Sequence, residues 1–227
     1  MSDDYVQSFA RGLAVIRAFD AVHPELSLAE VARRAELPRA AARRFLRTLE
    51  VLGYVHSDGK TFRLTPRVLE LGFAYLSALT LPEIAQPHLE RLSHELDESV
   101  SAAVLDGSEI VYVARVATRR IMSVGITIGT RFPAAQTSMG RVLLAASDPG
   151  HAPEVRSAGW ALVDQELEPG LRAIAAPVRD RSGEVVAAVN VSTSAARTSL
   201  EQLREMYLPA LLRTTAAIER ELHAPGA

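Results

Sequence analysis

Apolar residues recur at spacings of three and four from Ser8 to Ala21, where Phe9, Leu13, Ile16 and Phe19 share one face, and this period predicts a first amphipathic helix. His23-Pro24-Glu25 ends it. Ser27 stands three residues before Glu30, the spacing of a capping box, and predicts a second helix over about 28–35. Pro38 opens a third helix at a position where its missing N–H costs nothing. In that helix Ala41, Ala42, Phe45, Leu46, Leu49 and Leu52 fall on one side and Arg43, Arg44 and Arg47 on the other. Gly53 closes it, and Tyr54 to Leu64 forms two short β-prone runs around an Asp58-Gly59 turn, a hairpin signature. Such a hairpin directly after a helix-turn-helix reads as a wing.

The texture changes downstream. Pro66 to Leu79 repeats a helical pattern, with Leu69, Phe73 and Leu76 on one side, and is expected to be a connector. A helix over 83–96 then leads into β-like segments at 99–105, 109–116 and 121–126. Another helix covers 138–146, followed by a short loop rich in Pro, Gly and Asp. Strands at 173–179 and 185–192 flank the turn Asp180-Arg181-Ser182-Gly183, and an amphipathic helix closes the pattern over 199–222. The expected fold class is α+β: a winged helix-turn-helix over 1–65, a connector over 66–80, and an antiparallel sheet with helices over 81–227.

Charge sharpens the first unit. The chain of 227 residues has a formal net charge of −2, yet between Arg33 and Arg47 six arginines face a single acid, Glu36, a density suited to phosphates. Against this, arginine is the chain's habitual cation, since Lys60 is its only lysine. The residues expected to meet DNA are Arg34, Arg39, Arg43, Arg44, Arg47 and Thr48 around the third helix, with Lys60 and Arg63 on the hairpin, reaching phosphates and base edges. One recognition helix reads only a half-site, so a homodimer or homotetramer on a palindromic double-stranded operator is expected.

Enzyme chemistry finds little footing. There is no cysteine, no P-loop and no Gly-x-Ser-x-Gly elbow; the six histidines lack metal spacing, so no metal or cofactor is expected. The acidic start has no apolar run behind it and no stretch approaches the length of a membrane span, which points to a cytoplasmic protein without a membrane partner.

The strings Leu28-Ala29-Glu30-Val31-Ala32-Arg33-Arg34-Ala35-Glu36-Leu37-Pro38 and Ala41-Ala42-Arg43-Arg44-Phe45-Leu46-Arg47-Thr48-Leu49, with Leu52-Gly53-Tyr54-Val55, resemble the DNA-binding domain of the IclR family of bacterial transcription factors. The likeness extends over nearly the whole chain. Tyr5 to Leu13, Arg119 to Gly125 and Ala175 to Asp180 are most similar to the branch that regulates protocatechuate and 4-hydroxybenzoate genes of the β-ketoadipate pathway. The resemblance implies a GAF-like C-terminal domain that binds a small aromatic or dicarboxylic acid and a role in catabolic gene control, with RNA polymerase as a further candidate partner. It carries effector contacts onto Met122, Ser138, Met139, Asp164, Glu166, Leu171, Ala173, Asn190 and Ser192, with Arg119 and Arg120 as secondary counter-charges. It also exposes a departure, because family members have a longer segment where this chain has only Ser147 to Ser157. Two other readings therefore stay open: a degenerate regulator without effector response, and a winged-helix protein-interaction module.

Overall fold

The computed structural model describes residues 5–71, 80–118, 126–148 and 150–224. The chain divides into two compact units, Met1–Ala78 and Leu79–Ala227.

In the first unit, helix α1 (Gln7–Arg17) stops short of the expected Ala21 because the Asp20 carboxylate accepts hydrogen bonds from the Val22 and His23 amides, turning the chain. Strand β1 (Glu25–Ser27) is too short to show a period in the sequence. Helix α2 (Leu28–Arg34) starts from the expected capping box, in which Ser27 and Glu30 bond each other's amides. Helix α3 (Arg39–Val51) begins directly after Pro38. Strands β2 (Val55–Ser57) and β3 (Thr61–Leu64) form the hairpin, and β1 joins it to give the order β1-β3-β2. The core gathers Val15, Phe19, Leu26, Val31, Leu46, Leu49 and Val55. Phe9 and Leu13, expected on the core face, are instead exposed; α1 turns Val15 inward. The expected connector begins differently as well: Pro66–Leu69 is a 3-10 turn, and most of the remaining segment lies outside the described residues.

The second unit is built on one antiparallel sheet. Its elements are α4 (Thr80–Leu96), β4 (Ser99–Asp106), β5 (Glu109–Val116), β6 (Arg131–Pro133), a 3-10 turn (Ala134–Gln136), α5 (Ser138–Ser147), α6 (Pro153–Ala158), β7 (Ala161–Asp164), β8 (Leu171–Arg179) and β9 (Val185–Ser194). The chain ends in α7 (Leu200–Gln202), a π turn (Leu203–Tyr207) and α8 (Leu208–Leu222). Strand order is β6-β5-β4-β9-β8-β7. Of the strand expected at 121–126, Ile126 is not in a strand and the rest lies outside the described residues. The short loop expected after α5 holds α6, which Gly159 ends in the left-handed conformation that suits glycine (φ 74).

Strand alternation assigns the two faces. Val100, Ala102, Ile174, Ala176, Val189 and Val191 point to one side and pack on a helical layer formed by Ala85, Leu89 and Leu92 of α4 with Leu211 and Ile218 of α8. Ala103, Tyr112, Ala161, Ala175 and Ala188 point to the other side, under Met139, Val142 and Leu143 of α5. Small residues on this second face leave room beneath the start of α5.

Candidate DNA and effector sites

On α3 the sequence pattern is realised as two faces. Ala42, Leu46 and Leu49 are buried, whereas Arg39, Arg43, Arg44 and Arg47 are exposed and form no ion pair among the described residues. Guanidinium groups left without carboxylates retain their charge for a polyanion. Thr48 is exposed too, but its hydroxyl donates to the Arg44 carbonyl at 3.0 Å. Lys60 sits at the exposed tip of the β2-β3 hairpin, and Arg63 is exposed 3.9 Å from Glu25.

Arg34 differs from the other arginines in having partners. Its Nε donates to the Ala18 carbonyl at 2.6 Å, and its Nη atoms meet Asp20 and His23. Burial raises the Asp20 carboxyl, but hydrogen bonds from His23 and the Arg34 charge outweigh it and bring the pKa down to about 2. Arg34 therefore ties α2 to the end of α1.

The second site is a cavity of about 270 Å³ within the second unit, between the sheet and the start of α5. Register explains which residues meet there. Arg115 of β5 pairs with Ser101 of β4, which pairs with Asn190 of β9, while Ser99 pairs with Ser192 and Ser192 with Ala173. Paired residues share a face, so one polar row crosses the sheet under α5.

Three of the lining residues carry a buried polar atom without a partner: Arg115 Nε, Ser138 Oγ and Asn190 Oδ1. Arg115 otherwise donates from Nη1 to Ser101 Oγ at 3.2 Å, and Asn190 donates to Ser192 Oγ at 3.0 Å. Desolvation lowers the pKa of Arg115, while Tyr112 nearby opposes the shift. Burial pushes the Tyr112 hydroxyl up to about 12, and its ring meets Phe132 edge-on at 6.0 Å. Ser138 opens α5, where the Thr137 hydroxyl accepts from the Gly140 amide at 2.9 Å and the other N–H groups of the first turn have no intrahelical acceptor. Unpaired buried polar atoms are costly. Of the three, Arg115 Nε and Ser138 Oγ are donors of the kind an anion at a helix start would engage, whereas Asn190 Oδ1 is an acceptor suited to a hydroxyl or N–H.

Of the effector contacts expected from sequence, Ser138, Leu171, Ala173, Asn190 and Ser192 line the cavity. Met139 is wholly buried in the core between α5 and the sheet. Asp164 is held by Arg172 at 2.6 Å and Glu166 by Arg141, so both acids fasten the β7–β8 loop. Met122, Arg119 and Arg120 lie outside the described residues. Sequence reasoning missed Ser99, Tyr112, Arg115, Phe132 and Glu168. Arg115 looks like one arginine among many, and only the strand register shows that it faces inward. Among the described residues no cluster of His, Asp and Glu is arranged to hold a metal, and no helix is long and apolar enough to cross a membrane.

Residues 8–59 match the IclR helix-turn-helix domain, and residues 73–154 and 150–220 match the bacterial transcriptional regulator IclR C-terminal family. The C-terminal match falls into two pieces that meet at the shortened segment. The chain is 45% identical to the Pca regulon regulatory protein of Pseudomonas putida, covering 96% of this chain and 85% of that protein. The alignment runs to 247 positions, more than the 227 residues available here, and so contains gaps on this side. A crystal structure of a transcriptional regulator from Rhodococcus sp. RHA1 is 53% identical, with a TM-score of 0.84 over 96% of this chain and 98% of that one. The inducer-binding domain of a double mutant of PobR from Acinetobacter, crystallised with 3-hydroxybenzoic acid, is 29% identical, with a TM-score of 0.56 over 61% of this chain and 97% of that one.

Proposed function

The chain belongs to the IclR family of bacterial transcriptional regulators, and we propose that it binds a palindromic operator as a homodimer and answers to a small aromatic carboxylic acid held under α5. The first part of this reading rests on α3, whose unpaired Arg39, Arg43, Arg44 and Arg47 lie opposite a buried apolar face. An α-helix fits the major groove, and arginine grips guanine through two hydrogen bonds. Lys60 and Arg63 add contacts to flanking phosphate.

The effector reading is carried by one observation: Arg115, Ser138 and Asn190, which line the same cavity, each carry a buried polar atom without a partner. The carboxylate is assigned to Arg115 and the start of α5. Tyr112, Phe132, Val163 and Leu171 surround the ring. At about 270 Å³ the cavity falls just below the range of roughly 300–1,000 Å³ typical of drug-sized ligands, which suits a single ring. A formed cavity with an unpaired cation also favours a responsive regulator over a degenerate one.

Thermal melting with 4-hydroxybenzoate, 3-hydroxybenzoate and protocatechuate tests the reading, because a ligand of the native state raises the melting temperature by mass action. A rise with at least one acid, together with a changed affinity for operator DNA, is expected. No rise with any of them at millimolar concentration would remove the effector assignment.

A further inference from the structure

The charges that line the cavity point to a second selection rule, which rests on the aromatic-acid reading above. Arg115 is the one cation among the described lining residues, and Glu168 is the one carboxylate. Glu168 sits on the β7–β8 loop, half-buried, and its side chain has no hydrogen-bond or ion-pair partner among the described residues. The two neighbouring acids differ: Asp164 is neutralised by Arg172 and Glu166 by Arg141. Those pairs hold the loop so that Leu167 and Glu168 face the cavity.

We propose that Glu168 is a specificity-determining residue that restricts the effector to monocarboxylates and rejects dicarboxylates. One carboxylate of a ligand satisfies Arg115. A second would meet no further cation among the described lining residues and would be left desolvated beside Glu168, a like charge. An aromatic monoacid instead presents a neutral ring, and a ring hydroxyl can donate to the Glu168 carboxylate. Arg115 on a strand therefore supplies the attraction for the carboxylate, and Glu168 on a loop supplies both the repulsion of a second carboxylate and an acceptor for a ring hydroxyl.

The experiment measures binding of 4-hydroxybenzoate, benzoate and adipate to the full-length protein by calorimetry, in the wild type and in Glu168→Gln and Glu168→Ala. The wild type is expected to prefer 4-hydroxybenzoate over adipate by at least about tenfold. Either substitution is expected to narrow that preference by about tenfold, equivalent to about 1.4 kcal/mol, mainly by improving adipate. Benzoate, which has no hydroxyl, should change least. If wild-type protein binds adipate as tightly as 4-hydroxybenzoate, or if both variants keep the wild-type ratio, the selection rule is wrong while the aromatic-acid reading stands. If none of the three acids binds the wild type, the selection rule falls, and the aromatic-acid reading falls with it only when 3-hydroxybenzoate and protocatechuate also leave the melting temperature unchanged.

Discussion

Gly140 lies so close to Ala134 that a β-carbon on it would overlap the Ala134 carbonyl oxygen and the backbone behind it. The contact is with main chain, so it cannot be relieved by a side-chain rotation. It presses the 3-10 turn Ala134–Gln136 onto the first turn of α5 and fixes where Ser138 enters the cavity. Gly140→Ala is expected to cost about 1–3 kcal/mol, the usual range for overpacking, and to weaken effector binding beyond its effect on stability. Chemical denaturation and calorimetry on the same preparation check both parts.

The arginines of the first unit separate into two kinds, and substitution should tell them apart. Arg43→Ala combined with Arg44→Ala is expected to abolish operator binding in a gel shift at moderate salt while leaving the melting temperature nearly unchanged, because neither side chain has a partner to lose among the described residues. Arg34→Ala should do the reverse first, lowering the melting temperature by removing the bonds to Ala18 and Asp20. Equal effects of the two variants on melting would contradict this division.

The difference between what is legible in sequence and what is not follows from the range of each interaction. Caps, turns and helix faces are local, so the Ser27–Glu30 box, the Asp58-Gly59 hairpin and the two faces of α3 can be read from spacing alone. Short strands such as β1 and β6 have no period to read and exist only because a distant partner supplies their hydrogen bonds. The same reason hides Arg115, whose place in the cavity depends on register across β5, β4 and β9. The pairing of Asp164 and Glu166 is hidden for a related reason: their partners, Arg172 and Arg141, reach them only through the folded β7–β8 connection and the packing of α5.

Arg115 should oppose stability in the empty protein. Its guanidinium is desolvated, has one neutral partner in Ser101, and leaves Nε unbonded. Replacing a poorly compensated buried charge by an apolar side chain of similar length is often neutral or stabilising. Arg115→Met is thus expected to melt at or above the wild-type temperature without ligand, and to lose the rise that 4-hydroxybenzoate gives the wild type. A large destabilisation without ligand would show that Arg115 serves the fold and not the ligand.

Glu98 supplies a prediction in pH. It is buried, and desolvation raises its pKa above the ordinary 4.5 despite opposing hydrogen bonds from Thr193 and Arg197 and the Arg197 charge. A carboxyl with a raised folded pKa binds its proton more tightly in the native state than in the unfolded one. Its contribution to stability therefore decreases as pH rises from about 4.5 through the folded value, and is recovered as pH falls through the same window. Glu98→Gln keeps a neutral group of the same shape and removes this titration. The stability of Glu98→Gln relative to the wild type should accordingly be greater at pH 7 than at pH 5, measured by urea denaturation at each pH. A difference that does not change with pH, or that grows on acidification, would mean that the Arg197 charge outweighs burial at this site.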